Sequence, residues 1–237
     1  MSRNYKNKYF SILGDSVSTF EGYSEPEDAV FYDVSKKLES DILTCTDTWW
    51  GRVVEALGGK LLVNNSFSGS TVSFNPLYEI PSYSCSDERT RSLGKDGVLP
   101  DVIMVYMGAN DRGYGVKIDG GNGDSDKPET FKTAYCLMLE KLRKNYPDAE
   151  IWCMTLPKGK CEARSDFKYP VCIDGQHISE FCDAIMCCGE KYGCRVIDLY
   201  NLIDSYDAID GFHPSLDGMR TIADAVLSAV LDNDNDF

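Results

Sequence analysis

Histidine is the scarcest reactive side chain in this chain: 237 residues hold two, His177 and His213. The ten cysteines include no C-x-x-C pair. With so little imidazole beside them, a zinc site finds no support and no metal is expected. Basic residues are also few, 24 Lys and Arg against 38 Asp and Glu, for a formal charge of -14. A surface of that sign repels phosphate backbones and anionic headgroups, so neither nucleic acid nor a membrane is expected as a partner. No run approaches the ~20 apolar residues that a bilayer crossing needs. Met1 to Lys8 is polar and basic with no apolar signal core, so the expected location is cytoplasmic, with a trimmed secretory leader as the alternative.

What is present suits one α/β domain over 1–237, with the polar 232–237 tail frayed. A chain of this length buries roughly 70–75% of its unfolded surface, enough for a core without staples. Cys136, Cys153, Cys182 and Cys188 fall inside apolar patterns and read as buried free thiols. Cys45, Cys85, Cys161 and Cys172 fall in loop-like segments, where a disulfide stays open.

Tyr9 to Leu13 is a short apolar run closed by Gly14 and reads as a buried strand. Leu61 to Val63, Asp101 to Met107, Glu150 to Thr155 and Arg195 to Leu199 read likewise. The run at 101–107 is apolar on both faces, as the centre of a parallel sheet demands. Helical periodicities stand between them. Trp49, Val53, Val54 and Leu57 form one stripe, capped by Asp47 or Thr48 and ended at Gly58-Gly59. A second runs from about Pro128 through Phe131, Tyr135, Met138, Leu139 and Leu142 to Tyr146. Ile178 to Tyr192 is a third, and Leu216 to Val230 a fourth. Segments 19–47, 73–100, 112–127 and 156–176 read as long irregular loops. Strands alternating with helices predict a parallel sheet covered on both faces.

Such sheets bind ligands outside the carboxyl ends of their strands. Four stretches fall there: Gly14-Asp15-Ser16-Val17-Ser18, Phe67-Ser68-Gly69, Gly108-Ala109-Asn110-Asp111 and Asp210-Gly211-Phe212-His213-Pro214. They would gather a hydroxyl, an imidazole, a carboxylate, a glycine amide and a side-chain amide at one rim. That is the inventory of acyl transfer. The Ser16 hydroxyl is a weak nucleophile and needs a base, for which His213 is the candidate. Asp210 can hold the other ring nitrogen. The Ser16 and Gly69 N–H groups and the Asn110 amide could stabilise an oxyanion. Plain structural readings stand beside these: Asn110-Asp111 is a common turn pair, Gly69 permits a tight turn, and His213 could open a helix before proline. Asp15 reads as a loop carboxylate bonded to backbone amides, and His177 as a solvated loop residue.

In this order, the four blocks resemble the GDSL (SGNH) hydrolase family of esterases and lipases, with Val17 standing where the family usually has leucine. The resemblance covers residues 9 to 230. It implies a three-layer α/β/α flavodoxin-like fold with five parallel strands. It also implies catalytic Ser16, His213 and Asp210, with an oxyanion hole from Ser16, Gly69 and Asn110.

The expected reaction is a two-step ester hydrolysis through an acyl-enzyme, which calls for no metal or organic cofactor. Short acyl esters of carbohydrates are the first expectation for substrate. Phe20, Tyr23, Phe31, Tyr32, Phe74, Tyr78, Tyr83 and Tyr114 lie in loops bordering the rim and would suit sugar rings, or simply pack those loops down. No segment reads as an exposed amphipathic lid for lipid, yet lysophospholipase and thioesterase chemistry stay open. A different class is a non-catalytic binding protein whose first loop, with Ser16, Ser18 and Thr19, cradles a phosphate. Asp210 and His213 would then have no task. Oligomeric state is not legible.

Overall fold

The computed structural model describes residues 4–76, 82–120, 126–164 and 166–232. Its centre is β3 (Val102–Tyr106), five consecutive apolar residues that are all buried. Only a strand with layers on both faces can bury every side chain. β3 pairs in parallel with β1 (Tyr9–Gly14) on one side and β4 (Glu150–Met154) on the other. β2 (Lys60–Ser66) extends the sheet beyond β1, and β8 (Arg195–Ile197) extends it beyond β4. The order is β2-β1-β3-β4-β8, all parallel. Register places Gly14 opposite both Ser66 and Tyr106, so three strands end level and their loops emerge side by side.

Helices α2 (Trp49–Ala56) and α8 (Leu216–Asp232) pack together, as do α5 (Phe131–Asn145) and α6 (Ile178–Lys191). Right-handed crossovers put these pairs on opposite faces, which makes the three layers. Thr48 opens α2 by accepting the Gly51 N–H on its hydroxyl at 3.1 Å. Fully buried Phe10, Ile12, Leu13 and Phe181 contribute about 1.5–3 kcal/mol each to the core.

The segments read as irregular hold more structure than expected. Within 19–47 lies α1 (Val34–Ser40), capped by Asp33, whose Oδ1 accepts the Ser35 and Lys36 N–H groups. It leaves Val34 62% and Leu38 71% exposed, so it has no core-facing stripe for periodicity to detect. Within 73–100 lies α3 (Asp87–Arg91), and α4 (Ala109–Gly113) opens the next loop. Stretch 156–176 carries the two-residue strands β5 (Gly159–Lys160), β6 (Cys172–Ile173) and β7 (Gln176–His177). β5 pairs with β9 (Tyr206–Asp207), and β6 with β7. Between β8 and β9 stands α7 (Leu199–Leu202). Helix α5 starts three residues after Pro128. All ten cysteines are free thiols, including Cys45, Cys85, Cys161 and Cys172, and Cys136 is only half-buried. The 233–237 part of the expected frayed tail lies outside the described residues; Asp232 closes α8.

Candidate active site

The site is built on the end of β1. A Cβ at Gly14 would stand 2.6 Å from the Ser18 Cβ and 2.7 Å from the Ser66 hydroxyl, so only glycine lets the strand finish there. Asp15 then caps a single 3-10 turn, Ser16–Ser18, accepting the Val17 N–H at 3.1 Å. Trp49 and Trp50 of α2 donate their indole N–H groups to the Ser18 hydroxyl and carbonyl, which fixes that turn from below. Ser16 sits at the rim, 7% exposed.

His213 arrives from the loop after β9. Asp210 accepts the Phe212 and His213 backbone N–H groups on Oδ1, each at 2.8 Å, which sets the plane of its carboxylate. Its Oδ2 lies 2.7 Å from His213 Nδ1, and His213 Nε2 lies 2.9 Å from Ser16 Oγ. Partial burial pushes the Asp210 carboxyl up, but the bonds from the His213 ring and backbone outweigh it and hold the group well below the usual carboxylate range. An ionised carboxylate can only accept, so Nδ1 carries the imidazole proton and Nε2 is left to accept from Ser16. The Phe31 ring stacks on the His213 imidazole, centroids 3.5 Å apart and planes 10° from parallel. Tyr32 donates its hydroxyl to the Pro214 carbonyl at 2.8 Å.

On the neighbouring strand ends stand Gly69 and Asn110. Gly69 has φ +78, the left-handed region where a side chain is strained. The backbone N–H groups of Ser16 and Gly69 have no hydrogen-bond partner among the described residues. Asn110, in the first turn of α4, donates one amide hydrogen to the Ser70 carbonyl at 2.9 Å and keeps a second. Asp111 beside it is fully buried and accepts from the Val72 N–H, the Ser73 N–H and the Ser73 hydroxyl. Burial pushes its carboxyl up to about 6 against those bonds. Burial likewise pushes Asp15 up to about 6, opposed chiefly by the Val17 N–H. Asp15 is thus the amide-bonded loop carboxylate that its sequence context suggests.

Ser16, His213 and Asp210, 197 residues apart at the extremes, therefore meet in one hydrogen-bonded chain. Gly69 and Asn110 follow β2 and β3, the two strands that flank β1, and are joined through Ser70. His177 is elsewhere, half-exposed, and caps α6, accepting the Ser179 N–H on Nδ1. The rim aromatics divide. Phe20 and Tyr32 are buried, Phe74 and Tyr83 pack edge to face at 5.4 Å, and Tyr23 is exposed. Tyr114 brings its hydroxyl to 3.9 Å from where a Gly69 Cβ would be, and Tyr78 lies outside the described residues. Two neighbours of the site escape sequence reasoning. Phe31 reads only as one loop aromatic among many, and Arg89 falls unremarked within the irregular 73–100 segment. Among the described residues, no group of three or more His, Cys, Asp or Glu is placed to hold a metal ion, and no helix is long and apolar enough to cross a membrane.

The model of the GDSL-like lipase/acylhydrolase family matches residues 8–230. The chain belongs to that family. Crystal structures described as GDSL-like lipases agree with this. One from Bacteroides uniformis is 30% identical, with 94% of this chain and 95% of that chain covered and a TM-score of 0.70. One from Bacteroides ovatus is 28% identical, with 93% and 96% covered and a TM-score of 0.70. An active-site mutant of a family two carbohydrate esterase from Clostridium thermocellum shares the fold at 17% identity and TM-score 0.57, covering 95% of this chain and 63% of that one. No curated protein matches the sequence. This GDSL-like hydrolase is an ester-cleaving enzyme on a sheet of five parallel strands.

Proposed function

We propose that this hydrolase cleaves short acyl esters of carbohydrates, acetyl esters first, through an acyl-enzyme on Ser16. The observation that carries the reading is the chain Asp210 Oδ2–His213 Nδ1 at 2.7 Å and His213 Nε2–Ser16 Oγ at 2.9 Å. His213 takes the Ser16 proton as the oxygen attacks the ester carbonyl. The Ser16 and Gly69 N–H groups and the free Asn110 amide hydrogen stabilise the oxyanion. The alcohol leaves with the proton held on Nε2. Water, deprotonated by the same nitrogen, then releases the acid and restores Ser16. Asp210 stays ionised throughout and holds the imidazole in the tautomer the attack needs.

The carbohydrate half of the proposal draws on the fold shared with the family two carbohydrate esterase and on exposed ring faces such as Tyr23 near the rim. A second reading, an acylhydrolase of longer lipid-like esters, is favoured by one feature absent from the sequence expectations. Helix α1, beside Phe31, exposes Val34 and Leu38 one turn apart, and Leu43 follows at 58% exposure. Rates on p-nitrophenyl acetate and p-nitrophenyl octanoate, followed by acetate release from acetylated oligosaccharides, decide between the two. A preference for acetate with release from the oligosaccharides is expected, and a clear preference for octanoate overturns the first reading. Fluorophosphonate labelling tests the nucleophile: modification of the native protein and none of Ser16→Ala is expected.

A further inference from the structure

Arg89 is a buried cation beside the site, 7% exposed and carried by α3. All five of its N–H groups find oxygen. Nε donates to the Asn65 side-chain carbonyl, Nη1 to the Ser70 hydroxyl at 2.8 Å and to the Ser82 hydroxyl. Nη2 donates to the Gly14 carbonyl at 3.1 Å and the Asn65 carbonyl at 2.8 Å. None of these acceptors is a carboxylate. Burying a cation on neutral oxygens alone is costly, and burial does push its pKa down, to about 10, with the Asp15 charge opposing. It stays protonated at neutral pH. A planar fork with five fixed donors can hold several backbones in one geometry, which a lysine cannot do.

The acceptors are not scattered. Gly14 is the last residue of β1, two before the nucleophile. Asn65 lies near the end of β2, and Ser70 follows Gly69. Ser70 in turn accepts the Asn110 amide on its own carbonyl at 2.9 Å. One guanidinium therefore reaches the backbone that presents Ser16, the loop that presents Gly69 and, through Ser70, the amide of Asn110.

We infer that Arg89 is a positioning residue for the oxyanion pocket: it sets the spacing of the three donor-bearing strand ends and supplies a fixed positive charge behind them. The inference rests on the esterase reading above. It predicts a defect in transition-state stabilisation rather than in substrate binding, because oxyanion donors act on charge that develops only during attack.

The test uses the full chain and p-nitrophenyl acetate. Arg89→Lys should lower kcat about 100-fold with KM within about threefold. Affinity for a trifluoromethyl ketone, which presents an oxyanion to the same donors, should fall by a similar factor. Ser70→Ala cuts the Arg89 link but keeps the carbonyl that holds Asn110, and should lower kcat roughly 5- to 10-fold. In the double variant the losses should not multiply, because Ser70 acts through Arg89. Native turnover with Arg89→Lys within threefold of it overturns the positioning role and leaves the esterase reading standing. So do multiplying losses. No ester turnover by the native protein overturns both.

Discussion

Two loops of this hydrolase carry a histidine shortly ahead of a helix, with an acidic residue three positions away, and the two rings end in different tasks. In the β6–β7 hairpin the acid follows: Glu180 lies in the first turn of α6 and reaches back to the His177 backbone N–H at 2.7 Å. The ring is then spent on its own helix, accepting the Ser179 N–H on Nδ1. In the loop after β9 the acid precedes: Asp210 has one oxygen for backbone N–H groups and the other for the ring of His213. That leaves Nε2 pointing outward at Ser16. An imidazole is available as a base when a partner outside its ring's own helix secures the other nitrogen. The order of acid and histidine decides whether that partner exists.

The sharpest break in the comparison is removal of each ring. His213→Ala should lower kcat/KM on p-nitrophenyl acetate by about 10⁴-fold or more. His177→Ala should change it by less than about twofold. The acids follow: Asp210→Asn should cost about 10³-fold, since the ring loses the acceptor that fixes its tautomer, and Glu180→Gln should leave turnover intact. A Glu180→Gln loss above tenfold would mean that the hairpin communicates with the site. Asn110→Ala, at the other side of the nucleophile, should lower kcat about 100-fold with little effect on KM.

How much of this could be read from the chain follows from the range of the interactions. The five strands are legible because their patterns are local: the apolar run at 102–106 and the glycine that closes β1 need no partner to be recognised. The Ser16, Asp210 and His213 set is legible because each carries chemistry by residue type and Ser16 sits at a strand end, although Asp210 and His213 follow α7 and β9 rather than the fifth strand of the sheet directly. Helix α1 is hidden because both of its apolar residues face solvent, and the β5–β9 ladder because two residues give no period. Arg89 is hidden for a deeper reason. Its local sequence, two acids before it and Arg91 after it, is that of a solvated face. Only contacts to Gly14, Asn65 and Ser70 reveal otherwise. Phe31 is likewise ordinary until the fold sets it on His213.

A further contrast separates Asp15 from Asp210, one carboxyl raised and one lowered within the same site. Burial pushes the folded Asp15 carboxyl up to about 6 from an ordinary value near 3.8; His213, Asp111 and Arg89 face it, with the buried phenols of Tyr32, Tyr106 and Tyr206. The folded protein therefore holds this proton more tightly than the unfolded chain does. Asp15 thus costs stability as pH rises from about 4 through about 6, and the cost persists above. Asp15→Asn keeps an oxygen for the Val17 N–H and removes the buried charge. Its unfolding free energy relative to the native sequence should improve by about 1–3 kcal/mol between pH 4.5 and pH 8, read from urea unfolding at both. Asp210 runs the other way: its ionised form is the stabilised one, and its contribution is lost only as pH falls below the ordinary carboxylate range.

The smallest effect returns to the first pair of loops. If His177 serves only as a cap, His177→Ala should cost about 1 kcal/mol and lower Tm by about 2–4 °C. His177→Asn should recover that loss, because a short amide oxygen accepts the same helix N–H groups at least as well as an imidazole nitrogen. The equivalent replacement at 213 should recover nothing in turnover, since an amide there can accept the Ser16 hydroxyl but cannot carry its proton. A hairpin histidine that asparagine replaces without loss, beside a rim histidine that asparagine cannot replace, would separate capping from proton transfer using one and the same substitution.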